Sequence, residues 1–203
     1  MAEILTTVFF MFAVIDPIGT IPVYLEATKE FDIIHKKKIA IRASIMAFLI
    51  LLFFIVIGQI ILDGMEVSLD AFQISGGVIL FLFALTMIFG EGKPEQEKNR
   101  ITDYKHVTIF PIAIPSLASP GAIMAVVLMT NNQIYSIQEQ AITSFIVLIV
   151  IGITCLILLT ANYLQKLIGS YGITVLSKIM GLILASYAVQ SILSGISHYF
   201  INV

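Results

Sequence analysis

The sequence predicts an all-α, polytopic membrane protein: six transmembrane helices arranged as two inverted three-helix repeats, with spans one and four broken near the midplane. Three observations carry that expectation. Hydrophobic residues fill 59% of the 203 positions and charged residues 12%, against about 25% charged in a typical soluble domain. All eleven Lys and Arg residues fall on alternate connections between apolar segments. The two halves also share motifs 104 residues apart.

The elements follow in order. Six apolar segments are predicted at residues 3–28, 39–62, 69–90, 106–130, 141–164 and 173–199. Each meets the roughly 20 residues that a helix needs to cross the hydrocarbon core. Residues 43–62 carry no charge at all. The first segment has no Lys or Arg ahead of it and no small-residue cleavage pattern after it, so it reads as a retained span rather than a signal peptide. Helices are expected throughout, because a helix satisfies its own backbone polar groups in lipid.

The first connection carries Lys29, Lys36, Lys37 and Lys38, with Arg42 just inside the next helix. The third carries Lys93, Lys98, Arg100 and Lys105, and Lys166 and Lys178 flank the fifth. The second and fourth connections hold no Lys or Arg. Basic residues accumulate in cytoplasmic loops, so both termini are expected outside a cell inner (cytoplasmic) membrane. Tyr104, Tyr135, Tyr163, Tyr171 and Tyr199 sit near span ends and read as interfacial anchors. No basic patch with interleaved aromatics points to nucleic acid. Cys155 lies alone in an apolar segment, so neither a disulfide nor a thiolate metal site is implied.

The chain reads as one membrane domain over 1–203, with repeat one at 1–90, a cytoplasmic linker at 91–105 and repeat two at 106–203. Gly77 matches Gly181, Ile79 and Leu80 match Ile183 and Leu184, Ala84 matches Ala188 and Ile88 matches Ile192. Asp16-Pro17 in the first span is matched by Ser119-Pro120 in the fourth. Three spans per half is an odd number, so the second half enters the membrane upside down, an arrangement found in many secondary transporters.

Asp-Pro and Ser-Pro each read as a helix stop followed by a fresh start. Proline displaces the preceding residue from helical geometry and suits the first position of a helix, while Asp and Ser are preferred caps. Gly19 and Gly121 follow each start, and Pro111 and Pro115 weaken the approach to the second. Helix N-termini attract anions, and the carbonyls ending the preceding half-helices offer the opposite polarity. A small zwitterion such as an amino acid suits both. The expected binding set is Asp16, Pro17, Gly19 and Thr20 from the first break with Ser119, Pro120, Gly121 and Ala122 from the second.

Asp16 has two readings that do not exclude each other. It caps the break, or it is a binding or cation-coupling carboxyl, since acids within membranes are costly and commonly functional. Thr86 and Gln190 occupy equivalent positions in spans three and six and join the binding set as candidate cavity-lining groups; Tyr24 and Tyr187, also within the membrane, are cavity-lining candidates outside that set. An interhelical hydrogen bond is the alternative for them. Gly76, Gly77 and Gly181 read as close helix contacts.

The segments "DPIGTIPVYLEAT", "FPIAIPSLASPGAI", "ISGGVILFLFALTMIFG" and "MGLILASYAVQSILSG" together resemble the MarC family, also called the MarC/SnatA or neutral amino acid transporter family. The resemblance covers essentially the whole chain. It implies six helices in two related halves and, from the SnatA branch, gradient-driven transport of small neutral amino acids such as glycine and alanine. The second motif usually reads Gly-Pro where this chain has Ser119-Pro120. The expectation is therefore a symporter-like secondary transporter with H+ or Na+ as the coupling ion. It is expected in the lipid bilayer with no cofactor and no metal, as a monomer or homo-oligomer. An exporter or channel for another small solute, or a non-transporting scaffold, are the alternatives. An enzyme is not expected, because His35, His106 and His198 lie at span ends and no second acid shares the depth of Asp16.

Overall fold

The computed structural model describes residues 2–89, 104–132 and 134–201, and every regular element among them is helical. The chain runs α1 (Ala2–Ile15), α2 (Thr20–Ala27), α3 (Ile33–Gly64), α4 (Leu69–Phe89) and α5 (Tyr104–Val107). A wide-turned segment, Thr108–Leu117, then leads to α6 (Pro120–Met129), α7 (Ile137–Leu159) and α8 (Ala161–Ile201). Four helices, in α3, α4, α7 and α8, are long and apolar enough to cross a membrane. The pair α1 and α2 bends by 40°, and the pair formed by Tyr104–Leu117 and α6 bends by 55°. If each bent pair is one span, the total is six, and the protein is an all-helical polytopic membrane protein. Most of the expected linker at 91–105 lies outside the described residues.

Local chemistry sets the ends. Asp32 caps α3, accepting the His35 N–H at 2.8 Å. The lysine run is therefore helical, and α3 starts six residues before the expected 39. Ser136 caps α7 in a reciprocal box with Glu139. α7 stops at Leu159, short of the expected 164, where the Thr160 hydroxyl donates to the Leu156 carbonyl at 2.8 Å. Helical residues resume at Ala161, but Gly169, at φ 73°, a conformation that suits glycine, parts that stretch into two helices, and the second of them runs on close to the expected start at 173.

Membrane helices associate through close packing of small residues, and the interior is built that way. Ala40, Ala43, Ser44 and Ala47 form one buried stripe along α3, a helix that packs against α7 and the wide-turned segment. The most extensive pairing joins α4 and α8. A Cβ on Gly77 would lie 2.9 Å from the Ala188 carbonyl and 2.6 Å from Ile192. One on Gly181 would lie 3.1 Å from the Ala84 carbonyl and 3.1 Å from Ile88. These are the residues that the sequence pairs between halves, and each glycine meets the partner of its counterpart. Contacts that climb one helix as they descend the other make the pair antiparallel, with a local two-fold near Phe81 and Leu82 on α4 and Ala185 and Ser186 on α8. Gly195 extends the series toward Ile74 and the Asp70 carbonyl.

Away from this interior the surface is apolar. Leu49, Val56, Ile60, Phe145 and Leu156 are more than half exposed, as a lipid-facing belt requires.

Gly77→Val and Gly181→Val are each expected to destabilise the detergent-solubilised protein by about 1–3 kcal/mol, the usual scale of overpacking. Gly152→Val, where a Cβ meets nothing within 4 Å, is expected to leave thermal unfolding within error of the parent.

Candidate functional site

The first break is a turn from Asp16 to Gly19, and its chemistry converges on Asp16. The Gly19 N–H donates to Asp16 Oδ1 at 2.9 Å. The Thr20 hydroxyl and N–H donate to the Asp16 carbonyl at 2.9 and 3.1 Å, and the Asp16 N–H closes α1 on the Phe12 carbonyl at 3.0 Å. Asp16 has φ 49°, the left-handed region that aspartate tolerates better than most residues. Because of that turn, α2 starts at Thr20 and not at Pro17 as the motif suggests. The N-cap of α2 is Gly19, with no side-chain cap bond; the Asp16 carboxyl instead satisfies the Gly19 N–H within the turn, which corrects the reading of Asp16 as the helix cap.

Asp16 is 2% exposed, and a second element covers it. The Ser177 hydroxyl of α8, itself buried, lies 3.4 Å from both Oδ1 and Oδ2. Repeat two therefore supplies a polar group to the acid of repeat one. A Cβ on Gly19 would overlap both Asp16 Oδ2 and Ser177 Oγ, so glycine is the residue that leaves room for the contact. Sequence reasoning misses Ser177. The available signal is that Gln73 stands 104 residues earlier, so both repeats carry a polar residue at that register of their third span.

The second break carries a true helix cap on a different backbone. Ser119, at φ −69° and ψ 156°, accepts the Ala122 N–H on its Oγ at 3.0 Å, with Pro120 opening α6. Phe110 and Ile114, each ahead of a proline, take extended backbone angles, and both of those peptide bonds are cis. Asp16, Pro17, Gly19, Thr20, Ser119, Gly121 and Ala122 are buried, and Pro120 is exposed.

Contacts with the α4–α8 pair place the breaks at different levels. A Cβ on Gly121 would meet Leu80 and Phe83, beside the local two-fold. Phe10 stacks on Tyr187 with ring centroids 3.9 Å apart, also near that centre. Asp16 lies beyond it at Ser177, roughly 13 Å toward the start of α8 at the usual helical rise.

The structure does not bring Thr86 and Gln190 to either break. Both are exposed, and their hydrogen bonds stay within their own helices. Thr86 donates to the Phe83 carbonyl at 2.7 Å, and Gln190 donates to Ser194 at 3.3 Å. A polar side chain bonded within its own helix needs no neighbouring helix, so the bonds of these two run along α4 and α8 rather than between them. Tyr24 instead ties α2 to the start of α3 through the Lys36 carbonyl at 2.9 Å. Gly76 and Gly77 are close helix contacts, as their sequence suggests, with Gly76 facing Met124 and Leu128 of α6.

A second polar chain, also missed, runs from buried Asn131 at the far end of α6 through buried Gln59 to exposed Asp63. The Asn131 amide donates to Gln59 Oε1, and the Gln59 amide donates to Asp63 at 2.7 Å. Among the described residues, no group of three or more His, Cys, Asp or Glu side chains is placed to hold a metal ion.

Ser119→Ala is expected to cost about 0.5–2 kcal/mol of stability through loss of the cap. Gly19→Ala is expected to abolish any ligand-induced thermal stabilisation, because it separates Asp16 from Ser177. Retention of that stabilisation in Gly19→Ala would show that the contact is dispensable.

Comparison with known proteins agrees with this architecture. A family model described as MarC family integral membrane protein matches residues 1–200. A UPF0056 membrane protein of Buchnera aphidicola subsp. Acyrthosiphon pisum is 33% identical over 206 residues, covering 100% of both chains. One from Methanocaldococcus jannaschii is 34% identical over 92% of each chain. One from Pyrococcus horikoshii is 34% identical over 94% of this chain and 92% of its own. No solved structure matches. With the motifs at both breaks and a match across nearly its whole length, the chain belongs to the MarC family of integral membrane proteins.

Proposed function

We propose that this protein is a secondary transporter of small neutral amino acids, of the glycine and alanine class, driven by a proton or sodium gradient and located in the cell inner membrane. The observation that carries this reading is the buried Asp16 carboxylate at a span interruption, held by Gly19 and touched by Ser177 of the opposite repeat. A carboxylate inside a membrane protein is expensive, and such acids commonly mark substrate, ion or proton pathways. A proton or sodium ion on Asp16 would change its attraction for the Gly19 N–H and Ser177 hydroxyl. The amino acid would bind in an intermediate that brings the two breaks to one level, its carboxylate toward the N-terminus of α6 and its ammonium toward Asp16. No step of this cycle makes or breaks a covalent bond, so the proposed role is not enzymatic.

The unequal levels of the breaks support alternating access. Exchanging the two repeats turns this arrangement into one in which the second break is displaced and the first is central. Ala122 then approaches Gln73 as Gly19 now approaches Ser177.

Wild-type proteoliposomes are expected to accumulate labelled alanine or glycine under an imposed proton or sodium gradient. Asp16→Asn is expected to fold normally and lose at least tenfold of gradient-driven uptake, a barrier change of about 1.4 kcal/mol. Wild-type rates in Asp16→Asn would remove Asp16 from the mechanism. In a Cys155→Ser background, Gln73→Cys with Ala122→Cys is expected to cross-link during turnover and then to block uptake. Absence of cross-linking with and without substrate would contradict the exchange of levels.

A further inference from the structure

One exposed face of α3 changes character along its length. Ile41, Ile45, Leu49, Phe53, Val56 and Ile60 are each 44–65% exposed and recur at helical spacing. They span about 28 Å at the helical rise, close to the roughly 30 Å thickness of a bilayer core. The same face continues toward the helix start with Arg42 and Lys38, both exposed. The basic pair thus stands where the apolar stripe ends and headgroups begin.

Arg42 is fixed there by the other half of the protein. Its Nη1 donates to the Tyr104 hydroxyl at 3.4 Å, and its Cζ lies 5.6 Å from the centre of the Tyr104 ring. The His35 ring packs on the same tyrosine, with centroids 5.4 Å apart. Two acids at this end are engaged elsewhere: Asp32 with His35 and Glu26 with Lys29. Asp32 is held below the ordinary carboxylate range by the His35 backbone N–H and then by its ring, so it remains a partner for His35. Among the described residues, no carboxylate forms an ion pair with Lys38 or Arg42.

We propose that Lys38 and Arg42 form a binding site for the phosphate of an anionic phospholipid, whose acyl chain lies along Ile41, Ile45 and Leu49. Tyr104 is the platform that holds the Arg42 guanidinium in place, so the bound headgroup sits at a junction of α3 with the entrance to span four. The site is independent of what the protein transports. A free phosphate could meet the same two cations, but it has no use for the apolar stripe below them.

Native mass spectrometry and thermal unfolding of the purified full chain, with phosphatidylglycerol, phosphatidylcholine or inorganic phosphate added, test this. Phosphatidylglycerol is expected to bind and to raise the unfolding temperature. Lys38→Gln with Arg42→Gln is expected to weaken it roughly twenty-fivefold, about fivefold for each basic residue. Lys37→Gln with Lys166→Gln removes the same charge elsewhere and is expected to change affinity less than threefold. Arg42→Lys, which keeps the charge and guards against loss of fold, is expected to bind between the two. Equal weakening in both double variants would overturn the site, as would equal binding of phosphatidylcholine. Inorganic phosphate at millimolar concentration reproducing the full stabilisation would overturn the lipid assignment.

Discussion

The close approach of α4 and α8 is the constraint on which the rest depends. Each helix presents a glycine where the other presents an alanine carbonyl and an isoleucine, and the arrangement is reciprocal about one point. Lipid tails are as apolar as leucine, so association inside a membrane rests on such backbone proximity rather than on a drive to leave water. Once these two helices are antiparallel and in register, the halves they end are inverted with respect to each other. The broken spans then have fixed positions against the pair: α6 lies against α4 through Gly76 and Gly121, and the first break lies against α8 through Gly19.

Breaking a helix in an apolar interior exposes polar groups that no water can serve. Both breaks use a side chain to receive the N–H three residues on. Ser119 does so as an ordinary cap with extended backbone. Asp16 does so from a left-handed position, and its second oxygen remains within reach of Ser177. One break is closed by a neutral hydroxyl and the other by an acid, so the repeats share an architecture while differing in chemistry. That difference, with the unequal levels along α4 and α8, makes the molecule asymmetric at its breaks, while the spans whose sequence is most nearly repeated pack reciprocally.

Much of this is legible in the sequence. Six spans follow from apolar length and one-sided lysines, and the glycine, alanine and isoleucine matches foretell contacts because identical packing demands recur in a symmetric pair. The helix ends are less legible. Lys36, Lys37 and Lys38 read as a loop signal, yet a helix carries them comfortably when Asp32 caps it. Thr86 and Gln190 read as a polar pair facing inward, but hydroxyl and amide groups can satisfy themselves along their own helices. Ser177 is the chief loss. A lone serine in an apolar helix carries no mark of the acid it meets, since that contact joins residues 161 positions apart.

The central claim is that Asp16 and Ser177, one from each repeat, act as a unit in coupling. A double-mutant cycle on gradient-driven glycine uptake addresses it, using Asp16→Asn, Ser177→Ala and the pair in proteoliposomes matched for protein content. Coupled residues fail to add. The expected result is that Ser177→Ala lowers uptake in the parent but changes nothing further once Asp16 is asparagine. Equal proportional losses from Ser177→Ala in both backgrounds would show that the two residues act separately, and would contradict the account.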